Sequence, residues 1–336
     1  APRQFGSPIG RRLRYALAVP APLQRTTREF RDLLDLAGLS GETIIELLDA
    51  ASGHIAAAEG HSAARPSLEG RLVANLFFED STRTRVSFAV AAKRLGAQVV
   101  DLAEGGSSVS KGETLADTAR NIEAMGVDAI VVRHAASGAA NLLARAVQVP
   151  IVNAGDGRHA HPTQGLLDLL AMRERLGDLA NRRVAIVGDI GNSRVARSTL
   201  HGLVALGAQV VLIGPPTLVS KSFEKIAVGP GSVRVTHQID PELHALDAIM
   251  MLRVQLEREA GRAIATDFHE VFGLTPLRLE RLPAHAVVMH PGPLNRGVEI
   301  DSIAADCARR SVILRQVTLG VAVRMAVLEW CLHVSA

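Results

Sequence analysis

Short apolar runs alternate with helix-like segments along almost the whole chain, and this alternation restricts the fold more than any other feature. In the first half the strand-like runs are 72–78, 97–102, 127–132 and 150–153, with helix-like segments near 83–95, 114–125 and 139–146. The second half repeats the scheme with strands at 183–187, 209–213, 233–236, 248–252 and 286–289. Strands that are apolar throughout must be covered on both faces, which is the condition of a parallel sheet. Right-handed crossovers put the helices on those faces and make each half doubly wound. The expected fold is α/β: two doubly wound domains, each a mainly parallel sheet flanked by helices, joined at a central cleft.

A length of 336 residues is enough for two such cores. The expected hinge lies near 161–170, where a loop rich in Gly and His gives way to a helix at 164–175. The run 319–332 reads as a further helix. Residues 1–25 carry four prolines and the basic run Arg11, Arg12 and Arg14, with no acid before Glu29. That segment lacks the continuous apolar stretch of a secretory signal and is expected to be a mobile extension. No apolar run approaches the roughly 20 residues that span a bilayer, so no membrane partner is expected. Cys307 and Cys331 are the only cysteines, too few for a disulfide framework and without zinc-site spacing. A reducing, cytoplasmic setting fits them, and no metal or cofactor is expected.

The formal charge is +3, and only four of the cations are lysines: Lys93, Lys111, Lys221 and Lys225. Such a balance does not imply nucleic acid, which would favour a concentrated basic face. Separate guanidiniums suit small anions, because each binds a carboxylate or phosphate with two parallel hydrogen bonds.

The strongest local signal follows the first strand. Glu79-Asp80-Ser81-Thr82-Arg83-Thr84-Arg85 separates a buried run from an amphipathic helix. Ligands of parallel sheets sit at the carboxyl ends of strands. A helix start there offers unpaired N–H groups and a positive dipole end, and hydroxyls and Arg83 add donors and charge. Such a string suits a phosphate dianion. A second strand runs into Gly188-Asp189-Ile190-Gly191-Asn192-Ser193-Arg194, but the Gly-x-Gly-x-x-Gly spacing of a dinucleotide site is missing.

Phe77 through Arg85 resembles the carbamoyl-phosphate signature of the aspartate/ornithine carbamoyltransferase family. The likeness continues through Ser107-Ser108-Val109-Ser110-Lys111-Gly112-Glu113-Thr114-Leu115, then Val132-Arg133-His134, then His161-Pro162-Thr163-Gln164. It covers roughly residues 26–334, with the motifs in the family's order. The resemblance implies that Ser81, Thr82, Arg83 and Thr84 hold the phosphate. It implies that Thr84, Arg133 and His161 donate toward the carbamoyl oxygen, with Gln164 at the carbamoyl nitrogen. Ser107 and Lys111 match residues that reach into a neighbouring subunit's site, which implies a homotrimer with shared active sites. Arg83, Thr84, Lys111, Arg133 and His161 are the implied catalytic set. Asp80 stands where the family usually has proline, and its carboxylate is expected to point away from the ligand.

At the other end, Lys111, Arg194, Arg253 and Gln255 match the family's grip on an amino-acid substrate, and Pro291 and Gly292 match a turn whose carbonyls meet its amine. Gly292 replaces the leucine of some members, a change tolerable if only the backbone contributes. Glu79 stands where ornithine enzymes carry lysine, and Pro291 follows His290 where those enzymes have cysteine. An ornithine side chain would meet a guanidinium where it needs an anion, a costly like-charge contact. The implied substrates are therefore carbamoyl phosphate and L-aspartate, the implied product N-carbamoyl-L-aspartate, and the implied pathway pyrimidine biosynthesis.

The implied domains are 26–163, with a C-terminal helix over 315–336, for carbamoyl phosphate and 164–314 for aspartate. A dihydroorotase or a regulatory chain is a further partner the family allows, and the sequence decides neither. Rival readings are transfer to ornithine or another amine, a catalytically silent subunit that binds a partner, and an anion-binding protein without chemistry.

Overall fold

The structure is a computed structural model that describes residues 31–103, 113–254 and 263–333, with only the backbone of 103 and 263–266. Residues 1–25, Ser107, Lys111 and Gln255 lie outside the described residues.

In chain order the elements are α1 (Gly41–Gly53), α2 (Ile55–Glu59), β1 (Leu72–Phe77), α3 (Thr82–Arg94), β2 (Gln98–Ala103), α4 (Leu115–Ala124), β3 (Ala129–His134), α5 (Ala139–Ala146), β4 (Ile151–Asp156) and α6 (Pro162–Leu176). They continue with β5 (Arg183–Val187), α7 (Arg194–Ala205), β6 (Gln209–Ile213), β7 (Ser232–Thr236), β8 (Ala248–Met251), α8 (Ala263–Phe272), α9 (Pro276–Arg281), β9 (Val287–Met289), α10 (Ser302–Ala305) and α11 (Ile313–Cys331).

The strands form two sheets, β2-β1-β3-β4 and β7-β6-β5-β8-β9, and every pairing is parallel. This is the two-sheet α/β architecture expected from uniformly apolar strands. β4 and β8 are buried along their whole lengths, because helices cover both faces. Side chains on one face of the first sheet join α4 and α5 in a core that includes Leu76, Ile122, Ile130 and Leu143. The opposite face opens into a larger core with α1, α3, α6 and α11. That core continues into the second sheet through Ile186, Leu200 and Met250.

α6 connects the sheets in sequence and packs against α1, α7 and α11. α11 packs on α1, α2, α3 and α6. The helix starts at Ile313, six residues before the expected 319, because Arg315, Gln316 and Thr318 interrupt the apolar pattern without breaking the helix. α6 starts at Pro162 rather than 164, since proline lacks the N–H that the first helical position leaves unused. α1 and α2 lie outside the helices expected from sequence. Yet Ile44, Leu47, Leu48 and Ala51 of α1 follow helical spacing, and Ser40 caps it by accepting from the Thr43 N–H.

Each sheet changes winding direction beside its first strand. β1 lies between β2 and β3, and β5 lies between β6 and β8. Such switch points leave a crevice at the carboxyl ends of the strands. Ser81–Thr84 follow β1, Arg133 sits at the carboxyl end of β3, and Arg194 and Arg253 follow β5 and β8, so topology alone delivers the charged segments to the crevices.

Candidate active site

The crevices face one cleft of about 740 Å³. Ser81, Thr82, Arg83, Thr84, Arg133, His161, Gln164, Arg194, Arg253, Pro291 and Gly292 all line it. The structure therefore brings together every described residue of the predicted site. Ser107, Lys111 and Gln255 are outside the described residues.

The phosphate end begins with the start of α3. Ser81 is the residue before the helix, but its side chain makes no cap hydrogen bond. The first intrahelical bond runs from the Arg85 N–H to the Ser81 carbonyl. The N–H groups of Thr82, Arg83 and Thr84 precede that bond and have no intrahelical acceptor. The start of α7 differs: Ser193 caps it by accepting from the Ala196 N–H at 3.1 Å. An uncapped helix start within a cleft is a ready anion seat. Asp80 is exposed and is among the lining residues.

Arg83 crosses the cleft and donates to the Pro291 carbonyl at 3.3 Å. This contact explains Gly292. A Cβ there would lie 2.3 Å from Arg83 Nη1, and the residue adopts φ +67°. Glycine therefore suits this position in the chain, because a side chain at 292 would displace a guanidinium and strain the turn.

Arg133 stands where the pairing of β3 with β4 shifts register between Val132 and His134. Such an irregularity re-aims a side chain, here into the cleft. Arg133 Nη2 donates to Glu79 Oε1 at 2.8 Å and Nη1 to the Ala154 carbonyl at 3.3 Å. Arg194 meets the same carboxylate with both terminal nitrogens, at 2.6 and 2.9 Å. Gly155, at φ +119°, makes room for both guanidiniums, since a Cβ would lie 3.1 Å from Arg194 Nε and 3.2 Å from Arg133 Nη1. Burial lowers the Arg133 pKa to about 10, helped by repulsion from Arg194 and opposed by Glu79, so the group stays charged at neutral pH. Burial alone would raise the Glu79 pKa, but the Arg194 and Arg133 guanidiniums outweigh it and hold the carboxylate below its usual range.

His161 caps nothing with its side chain, and its ring is almost fully buried. Its backbone N–H donates to Ser198 Oγ of α7 at 2.9 Å, while ring Nδ1 has no partner among the described residues. Burial, reinforced by Arg133, Arg194, Arg324 and Arg83, pushes its pKa well below 6.5. The imidazole is therefore neutral and suits a hydrogen-bond donor better than a cation or an acid.

Three residues behind this face, and the use made of a fourth, lie outside the set expected from sequence. Glu79, expected only as a marker against ornithine, ties Arg133 to Arg194. Asp168, one turn after Gln164, is fully buried and accepts from Gln164, Thr199 and Gln316. Burial raises its pKa to about 7, although those three hydrogen bonds act against the rise. Gln316 lines the cleft and is buried. Arg324 reaches the cleft from α11, donates to the Gly320 carbonyl at 2.7 Å and lies 5.0 Å from the Phe88 ring centre. Burial, with repulsion from Arg83 and Arg133 and a smaller opposing pull from Asp168, lowers its pKa to about 9. A signal for two of these was present in the sequence. Asp168 is the one acid amid Leu166, Leu167, Leu169 and Leu170, and Arg324 is the one cation within the run 319–332.

Among the described residues, no group of three or more His, Cys, Asp or Glu side chains could hold a metal ion, and no helix is long and apolar enough to cross a membrane.

The fold and cleft together define a class: a two-sheet α/β protein that seats anions at the switch points of both sheets. Sequence profiles make this specific. Residues 31–174 match the aspartate/ornithine carbamoyltransferase carbamoyl-P binding domain, and residues 180–331 match the Asp/Orn binding domain. The aspartate carbamoyltransferase catalytic subunit of Myxococcus xanthus is 54% identical over 303 residues, which is 90% of this chain and 99% of that one. Its counterpart from Gemmatimonas aurantiaca is 52% identical, over 89% of this chain and 92% of that one. Among solved structures, Trypanosoma cruzi aspartate transcarbamoylase in complex with carbamoyl aspartate and phosphate superposes with a TM-score of 0.80 at 31% identity, over 89% of this chain and 95% of that one. Ornithine carbamoyltransferase from Pyrococcus furiosus gives a TM-score of 0.81 at 28% identity, over 91% of this chain and 98% of that one. The chain belongs to the aspartate/ornithine carbamoyltransferase family.

Proposed function

We propose that the chain transfers the carbamoyl group of carbamoyl phosphate to the amino group of L-aspartate, giving N-carbamoyl-L-aspartate and phosphate for de novo pyrimidine synthesis. The observation that carries this reading is the convergence, on one cleft, of the uncapped α3 start with Arg133, His161 and Gln164 on one side and Arg194 and Arg253 on the other. Phosphate sits against Ser81, Thr82, Arg83 and Thr84. The carbamoyl oxygen lies toward Thr84, Arg133 and neutral His161, which act as an oxyanion hole while charge builds on it. Arg194 and Arg253 take the two carboxylates of aspartate. The carbonyls at Pro291 and Gly292 orient its amine.

The amine attacks the carbamoyl carbon and a C–N bond forms. The C–O bond to phosphate then breaks, and the departing phosphate accepts the proton that the amine loses. The carbamoyl group arrives activated, so no side-chain nucleophile is required, and catalysis is positioning and electrostatics. Carbamoyl phosphate binds first because it fills the deeper end. Aspartate follows and the two sheets close on both.

The finer parts of the proposal rest on family likeness. Residues 26–163 with the C-terminal helix form the carbamoyl-phosphate domain, and 164–314 form the aspartate domain. Ser107 and Lys111 enter a neighbouring subunit's cleft, so the active species is a cytoplasmic homotrimer, and Gln255 joins Arg253 at the aspartate end. The decisive experiment is a parallel assay with aspartate and ornithine on the purified chain, with its mass in solution measured alongside. Carbamoylation of aspartate alone supports the reading, and carbamoylation of ornithine or of neither amine overturns it.

A further inference from the structure

We infer that Asp168 fixes the orientation of the Gln164 carboxamide and so makes the cleft select a carbonyl carbon that carries N–H groups. The inference rests on the reading of this cleft as the carbamoyl-phosphate site. Asp168 lies one helical turn after Gln164 on α6 and is 0% exposed. Its Oδ1 accepts from Gln164 Nε2 at 2.9 Å and from Gln316 Nε2 at 2.8 Å. Its Oδ2 accepts from Thr199 Oγ1 at 2.9 Å.

The Gln316 oxygen is engaged, accepting from the backbone N–H of His290 at 3.1 Å, so the Gln316 NH₂ faces Asp168 Oδ1. Oδ1 is thus an acceptor whether the carboxyl is ionised or carries its proton on Oδ2 beside the Thr199 hydroxyl. Gln164, on the same oxygen, must turn its NH₂ toward Asp168 and its own oxygen away. The Gln164 oxygen has no donor among the described residues, and Gln164 lines the cleft. A carboxamide is almost symmetric in shape, so sterics alone would not choose which end faces the substrate. Asp168 makes that choice, and the cleft presents an acceptor.

An acceptor at this point is matched by a carbamoyl group, whose nitrogen donates, and left unmatched by an acetyl group, whose methyl does not. A site built to bond a substrate N–H rejects the analogue that lacks it, because a desolvated polar group stays unpaired. Asp168 touches no substrate in this account. It is a positioning residue that acts through Gln164. The same carboxylate also holds Gln316, which bonds the His290 N–H ahead of the Pro291 turn, so the carbamoyl and amine ends share one buried anchor.

The test compares inhibition by acetyl phosphate with the KM for carbamoyl phosphate in the whole enzyme. The ratio of the two constants reports selection of NH₂ over CH₃. Asp168→Ala frees the Gln164 amide to rotate, and the ratio should fall on the order of 10-fold. Asp168→Asn keeps one oxygen for both amides and an N–H for Thr199, and should retain the parental ratio. Gln164→Leu should lower the ratio as Asp168→Ala does, and the double variant should fall no further, because the two act as one unit.

A folded Asp168→Ala enzyme with the parental ratio overturns the inference, as does additivity in the double variant. If Asp168→Ala does not fold, a parental ratio in Gln164→Leu overturns it equally. A parent enzyme that forms no N-carbamoyl-L-aspartate fails the functional reading instead, so the two failures are separate.

Discussion

Replacing Arg324 with methionine tests how the cleft distributes its charge. Arg324 is buried, stands near Arg83 and Arg133, and has no carboxylate in ion-pair contact among the described residues. Burial, with Arg83 and Arg133 nearby, pulls its pKa down to about 9, well below the usual guanidinium value, so the cation is held there at a cost. At about 1.4 kcal/mol per tenfold, the charged form is disfavoured by roughly 5 kcal/mol relative to water. A phosphate dianion at the α3 start would recover part of that cost. If it recovers about 1.4–2.8 kcal/mol, loss of the guanidinium weakens phosphate binding 10-fold to 100-fold. Methionine retains apolar contact with Phe88 and removes the repulsion among the three guanidiniums. Arg324→Met should therefore hold or raise the urea midpoint while phosphate and carbamoyl phosphate bind more weakly by calorimetry. Such opposed changes are typical where function holds strained charge. A folded variant with unchanged phosphate affinity would refute the argument and reduce Arg324 to a helix-packing residue.

Three further outcomes are expected. Arg133→Ala should lower turnover on the order of 10²–10³-fold, the scale of deleting one oxyanion donor, and parental turnover would remove it from that role. Glu79→Gln leaves Arg133 and Arg194 facing one another without an anion. Because the Glu79 side chain is 23% exposed, the expected cost is roughly 2 kcal/mol rather than the 3–5 of a fully buried pair, read by denaturation and partly restored by added phosphate. His161 is neutral in the fold, while the unfolded chain protonates it near pH 6.5. Below that pH the unfolded state binds the extra proton, so stability falls as pH falls, by about 1.4 kcal/mol per unit. His161→Gln should remove that component between pH 6.5 and 5.5 in urea titrations, and an unchanged pH dependence would show that the ring is not held neutral.

Much of the fold was legible because parallel strands are apolar along their whole length and announce themselves in short windows. The strands at 183–187 and 209–213 were placed residue for residue. β4 was read as ending at 153 but runs to Asp156, since Asn153, Gly155 and Asp156 are poor strand formers held by tertiary bonds. Asn153 Nδ2 donates to the Leu34 carbonyl and to Asp156, and Asp156 accepts from the Gly138 N–H. Of the cleft, the residues in contiguous motifs were legible, from Ser81 to Thr84 and from His161 to Gln164. Glu79 was visible as a residue but not as a partner. Its bonds to Arg133 and Arg194 cross 54 and 115 positions of sequence, beyond any local pattern.

By itself the sequence determined two parallel-sheet cores, a phosphate-type helix start and the inventory of arginines around it. Those are properties of short segments, set by side-chain period and backbone capping. Only the tertiary structure decided which charges meet. Glu79 holds Arg133 and Arg194, Arg83 reaches the Pro291 turn, and Asp168 aligns Gln164 with Gln316 on α11. The reason is physical: pKa values and amide orientations depend on distance and burial, and both are fixed when α6 and α11 close the core between the two sheets.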